Sequence, residues 1–162
     1  MINLDELCKA LGVMKMEIHP SNSSVQQEAE GYIINALEQK LGFLQGTLKP
    51  KTISLGTTSV KVDAYNEREG IICEVYAHIG KLKSAQANKP INDVMKMLVI
   101  ERITKKKYRK IFAVCDIEVE NQLNNSGWKA IAFKEFGVEV VRVNIDEMMR
   151  QRIIEAQHRQ YR

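Results

Sequence analysis

Three cysteines are too few and too scattered for covalent or zinc chemistry. Cys8, Cys73 and Cys115 form no CxxC pair, which leaves neither a zinc knuckle nor a disulfide framework to be read. Cys73 and Cys115 stand in apolar, strand-like runs and read as small buried hydrophobes, and free thiols fit a reducing cytoplasm. With only three prolines and nine glycines, no disordered tail is indicated. Aromatic residues make up 6% of the chain, so few are available to stack on single-stranded bases. No apolar run approaches the roughly 20 residues that span a bilayer, and "MINLDELCKALGV" carries two acids with no run long enough for a signal peptide. A cytoplasmic protein with no membrane partner is expected. Also missing are a Gly-rich phosphate loop after a strand, a G-x-S-x-G elbow and a helical His pair at metal spacing.

What remains is an ordinary globular composition, 44% hydrophobic and 27% charged. A chain of 162 residues suits one domain that buries about two thirds of its unfolded surface. The net charge of +4 is compatible with a polyanionic partner. Positive charge gathers in the second half, in the run Lys105-Lys106-Lys107-Tyr108-Arg109-Lys110 and at Arg150, Arg152, His158, Arg159 and Arg162. Such runs are more often solvated faces than binding sites.

Along the chain, residues 3–12 read as a short amphipathic helix with Asn3 as cap and Leu4, Leu7, Cys8 and Leu11 on one side. "HPSNSS" separates this attachment, residues 1–20, from a single α/β domain over 21–162. A stronger helix follows Ser23 and Ser24, with Val25, Ala29, Ile33, Ala36 and Leu37 on one face and Gly42 as its stop. The period then changes from 3.6 to 2 through "KTISL", "SVKVDAY" and "GIICEVYAHI", a three-stranded meander. A helix over 84–104, a strand at "KIFAVCD", a helical stretch over 117–136 broken at "NNSG", a strand at "VEVVRVNI" and a helix from Asp146 complete the order α-β-β-β-α-β-α-β-α. The apolar "IFAVC" and "VEVVRV" suit strands covered on both faces, so a mixed sheet flanked by helices is expected. Trp128, Phe133 and Phe136 read as core.

The chemistry concentrates in "VKVDAYNEREGIICEVYAHIGK". With Glu67-Arg68-Glu69-Gly70 as the turn, Asn66 pairs with Ile71 and outward counting sets Asp63 opposite Glu74. Carboxylates so placed, about 4.5–5.5 Å apart at Cβ, repel one another. A cation removes the conflict, either a divalent ion with oxygen ligands or a lysine. The same count puts Lys61, Tyr65, Ile72, Tyr76 and His78 on that face, with Lys61 opposite Tyr76. Lys61 would either neutralise the acids or orient an attacking water.

A helix bearing a glutamate, a strand with Asp63, a turn, a strand with Glu74 and a following helix resemble the PD-(D/E)XK nucleases, the restriction-endonuclease-like superfamily, over residues 22–144. The resemblance implies metal-dependent phosphodiester hydrolysis of nucleic acid, with DNA the favoured polymer, and Mg2+ or Mn2+ as cofactor. It makes Asp63 the metal-binding aspartate, with Val62 where a proline is frequent, and Glu74 the acid of the "E-x-K" step. Tyr76 stands where that lysine belongs, and a phenol supplies no cation. Some members carry the lysine on the next helix, where Lys96 lies between Met95 and Met97; Lys96 ranks first as donor and Lys61 second.

Glu30, nearer the apolar face than Glu28, is the better match to the family's helix glutamate, which the resemblance makes a metal ligand directly or through water, while Glu28 reads as a first-turn acid. Lys81 and Lys83, just past the strand, are candidate phosphate contacts. Gln86, Lys89 and Asp93 line the same mouth, with Lys89 a further candidate nucleic-acid contact, and His78 is a candidate proton shuttle, metal ligand or nucleic-acid contact. A homodimer would supply two active sites for two strands. The alternatives are a catalytically inactive nuclease-like domain that binds nucleic acid or protein, and a structural arrangement in which Lys61 and Lys96 neutralise the acids.

Overall fold

The computed structural model describes residues 22–160. The helix expected over 3–12, with Asn3 and Cys8, the attachment over 1–20, and Arg162 lie outside the described residues. Among these, the elements are α1 (Asn22–Leu41), β1 (Lys49–Ser54), β2 (Ser59–Asn66), β3 (Ile71–Tyr76), α2 (Asn88–Thr104), β4 (Arg109–Val114), α3 (Ile117–Asn125), α4 (Gly127–Glu135), β5 (Val138–Arg142) and α5 (Glu147–Gln160). The five strands form one mixed sheet in the order β1-β2-β3-β4-β5. The first three run antiparallel, and β3, β4 and β5 are parallel.

Apolar residues at helical spacing divide the helices between the two faces. Ala29, Ile33 and Leu37 of α1 and Met149 and Ile153 of α5 pack with Ala64, Cys73 and Val75. Val94, Met97 and Ile100 of α2, Val119 and Leu123 of α3 and Phe133 of α4 pack with Val62, Ile72 and Phe112. Covered on both faces, every residue of β3 is buried, as its apolar run demands. No described helix is long and apolar enough to cross a membrane.

The turn at Glu67–Gly70 is as expected: Gly70 has φ +64°, its N–H donates to the Glu67 carbonyl, and the Asn66 side chain accepts from the Glu69 N–H at 2.8 Å. The predicted register follows, with Asn66 opposite Ile71, Tyr65 opposite Ile72 and Ala64 opposite Cys73.

Beyond Ala64 the counting fails. On the other edge of β2, Tyr65 pairs with Lys49 and Val62 with Lys51, so Asp63 and Ala64 together face Pro50. This is a β-bulge, and a proline, having no N–H to give the ladder, is tolerated there. The bulge shifts the alternation: Val62 packs on the α2 side and Ala64 on the α1 side, although two residues apart. The β2–β3 pairing ends at Ala64 opposite Cys73, so neither Asp63 with Glu74 nor Lys61 with Tyr76 forms a ladder pair, and on β1 Lys61 lies opposite Thr52.

Three other expectations are corrected. Trp128 is 65% and Phe136 48% exposed. The inner face of α4 is set by Ala130 and Phe133, three apart, while Trp128 lies some 200° round the helix and Phe136 is its C-cap. Glu28 lies beyond the first turn of a helix that begins at Asn22, and it pairs with Arg152 of α5. Glu38, unremarkable in sequence, is 1% exposed and accepts from the N–H groups of Leu48 at 2.7 Å and Gly46 at 3.1 Å.

Replacing Glu38 with alanine orphans those two donors and should cost roughly 1–3 kcal/mol, read as a lower urea midpoint. An unchanged midpoint would show that water replaces the carboxylate.

Candidate active site

The bulge places Asp63 at the seam where β2 leaves β3. Its Oδ2 accepts the Val75 N–H at 2.8 Å, so the side chain stands in for the ladder bond that the bulge removes. This anchors Asp63 beside Glu74, which is 2% exposed. Lys96, on the third turn of α2, reaches in from the helix side. Its Nζ lies 2.6 Å from Glu74 Oε1, 3.8 Å from Asp93 Oδ1 and 3.0 Å from the Lys61 carbonyl oxygen, to which it donates. The approach to Oε1 is close but poorly aligned, so the Lys96 charge, more than a well-directed hydrogen bond, meets that buried oxygen.

Burial drives the Glu74 carboxyl up to about 8, and the neighbouring Asp63 charge and contact add to the rise, while Lys96 opposes it. The Lys96 pKa is raised too, which for an amine favours the charged form. Burial disfavours its charge, but Glu74, Asp93 and Asp63 together outweigh that and hold it above the ordinary lysine value. It is an ammonium throughout the physiological range.

Glu30 approaches from the α1 side. Its carboxyl is raised by burial and then by the Asp63 charge, and Gln26 donates to it at 3.3 Å. Glu30, Asp63 and Lys61 line one groove of about 440 Å³ between α1 and the β1–β2 hairpin, with Pro50 on its rim. Asp63 thus joins two half-sites, Glu74 with Lys96 on the α2 side and Glu30 with Lys61 on the α1 side.

The other candidates stand further off. Lys89 pairs with Asp93 at 2.7 Å and lies 5.1 Å from the centre of the Tyr76 ring. His78 is buried beside Tyr76, ring centres 5.4 Å apart. Burial lowers its pKa, with Asp116 opposing. Lys81 is exposed beside Glu118 and Asn121 of α3, and the Lys83 N–H is held by the Gln86 side chain. Sequence reasoning missed the Lys61 carbonyl as a support for Lys96 and missed the bulge, for which Pro50 was the available signal.

Two hard oxygen donors in conflict fit a divalent cation such as Mg2+ or Mn2+ in donor chemistry, with the near Glu74 oxygen already 2.6 Å from the Lys96 ammonium. Among the described residues no three His, Cys, Asp or Glu side chains group to hold a metal ion, so the fit rests on the Asp63–Glu74 pair. Compared with known proteins, the chain matches no family model, no curated protein and no solved structure.

A carboxyl raised from 4.5 to about 8 keeps its proton in the fold after the unfolded chain has lost it. Its stabilising contribution is therefore full below pH 4.5 and is lost as pH rises toward 8. With a chelator present, stability of the native protein should fall across that window by on the order of a few kcal/mol relative to Glu74→Gln. The difference isolates Glu74 from His78, whose lowered pKa acts with the opposite sign. Parallel pH profiles for the two proteins would place the shift elsewhere.

Proposed function

We propose that this chain is a metal-dependent nuclease of the restriction-endonuclease-like class, hydrolysing phosphodiester bonds in nucleic acid, with DNA the favoured polymer. The observation that carries the reading is the convergence of Asp63, Glu74 and Lys96 from two strands and the following helix. The mixed sheet with an antiparallel β1-β2-β3 unit leading into parallel strands is compatible with that class.

Asp63 and Glu74 would hold Mg2+ or Mn2+, with Glu30 assisting through water. The ion supplies Lewis-acid polarisation of a phosphate oxygen and of the attacking water. Lys96 takes the place of the lysine that Tyr76 lacks. Held charged by its three acidic neighbours, it orients the water and steadies charge on the phosphate rather than accepting a proton. Lys61, whose carbonyl fixes Lys96, is the second cation at hand.

The near-complete burial of Glu74 favours one competing reading, a nuclease-like domain without catalysis that binds nucleic acid or protein. Incubation of plasmid, single-stranded DNA and RNA with Mg2+ or Mn2+ separates the two. Metal-dependent cutting should be lost in Glu74→Ala and reduced at least a hundredfold in Lys96→Met, the size of effect that removal of one electrostatic group has elsewhere. Cutting that survives Glu74→Ala, or no cutting of any substrate, would overturn hydrolysis at this site.

A further inference from the structure

From Gln39 to Val62 the chain has no aspartate or glutamate, yet it carries Lys40, Lys49, Lys51 and Lys61 and ends directly on Asp63. The fold turns most of this acid-free stretch into the β1–β2 hairpin at the open edge of the sheet. There Lys49, Lys51 and Lys61 are exposed, together with the hydroxyl residues Thr52, Ser54, Thr57, Thr58 and Ser59.

Of the eleven described lysines outside the hairpin, five are held by acids within the fold. Lys89, Lys96, Lys106, Lys107 and Lys110 each pair with a carboxylate. Among the described residues, no carboxylate forms a salt bridge with Lys49, Lys51 or Lys61. The bulge distributes the three: Lys49 and Lys51 lie opposite Tyr65 and Val62, whose side chains pack toward α2, while Lys61 opens on the groove with Glu30 and Asp63. That groove is acid-lined and by itself repels a phosphate, so any polyanion reaching Asp63 needs cations at its border. The hairpin supplies them at the shortest chain distance, and the bond from Lys96 to the Lys61 carbonyl ties the hairpin to the acid pair.

We infer that the β1–β2 hairpin is the arm that grips the phosphate backbone of a nucleic-acid strand and lays it across Asp63. The inference rests on the nucleic-acid reading above and moves the principal backbone contact from the residues after β3 to Lys49 and Lys51 on the open edge. Side-chain cations and hydroxyls meeting phosphate oxygens position a strand without reading its bases.

The test is equilibrium binding of labelled single-stranded DNA, duplex DNA and RNA in EDTA over a series of salt concentrations. It compares the native protein, Lys49→Gln/Lys51→Gln, and the charge-matched control Lys105→Gln/Lys134→Gln. On the preferred polymer the hairpin variant should bind roughly ten- to hundredfold more weakly at 0.1 M salt. Its log–log salt slope should be shallower by about 1.4–1.8, with melting temperature unchanged and the control like native. Equal losses in hairpin variant and control, native-like binding by the hairpin variant, or no binding by the native protein would overturn the inference. Because no cleavage is read, hairpin-dependent binding by a protein that cuts nothing supports the arm while overturning hydrolysis. Metal-dependent cutting with hairpin-independent binding does the reverse.

Discussion

A carboxylate held against another away from water is costly to ionise, and the fold around Asp63 and Glu74 is organised by that cost. Glu74 cannot move to solvent, because it belongs to the central strand, buried on both faces. Asp63 cannot retreat either, because its Oδ2 is committed to the Val75 N–H at the bulge. Relief comes from a proton on Glu74, from the Lys96 ammonium, or from a divalent cation. The same local conflict underlies the raised acid, the out-of-line ion pair and the chemistry proposed for the site.

The bulge is the structural device that makes this arrangement reachable. In a regular ladder Asp63 would share one face of the sheet with Glu74, and Glu30 on the opposite face would lie out of reach. Two residues of β2 against Pro50 rotate the strand, so Asp63 meets Glu74 and Lys96 on one side and Glu30 and Lys61 on the other. The displaced ladder bond is recovered by the side chain, which keeps the Val75 N–H satisfied and fixes the carboxylate. The proposed site and the irregularity coincide at this point; bulges are over-represented next to active sites.

Much of this was legible in the sequence because it depends on short-range rules. Apolar spacing located the helices. The acidic, glycine-closed turn set the β2–β3 register as far as Ala64, and an out-of-place lysine between two methionines pointed to Lys96. Where the reading failed, the cause was non-local. Period-2 counting assumes an unbroken ladder, and only Pro50 on the neighbouring strand hinted at the break. Trp128 and Phe136 read as core in the sequence because hydrophobicity does not reveal where a helix begins; the start at Gly127 sets which face is inward. Glu38 and its two backbone donors depend on how a loop folds back on a helix, which no spacing within the helix encodes.

The claim that most needs direct measurement is that Asp63 and Glu74 form one divalent-cation site. Calorimetric titration of Mn2+ into the native protein at pH 7, beside Asp63→Asn and Glu74→Gln, addresses it without any substrate. The account predicts saturable binding at one site, with release of the proton held by Glu74, abolished in either variant. Binding of equal strength in all three proteins, or none in the native protein, would contradict it and leave the pair as a structural element neutralised by Lys96.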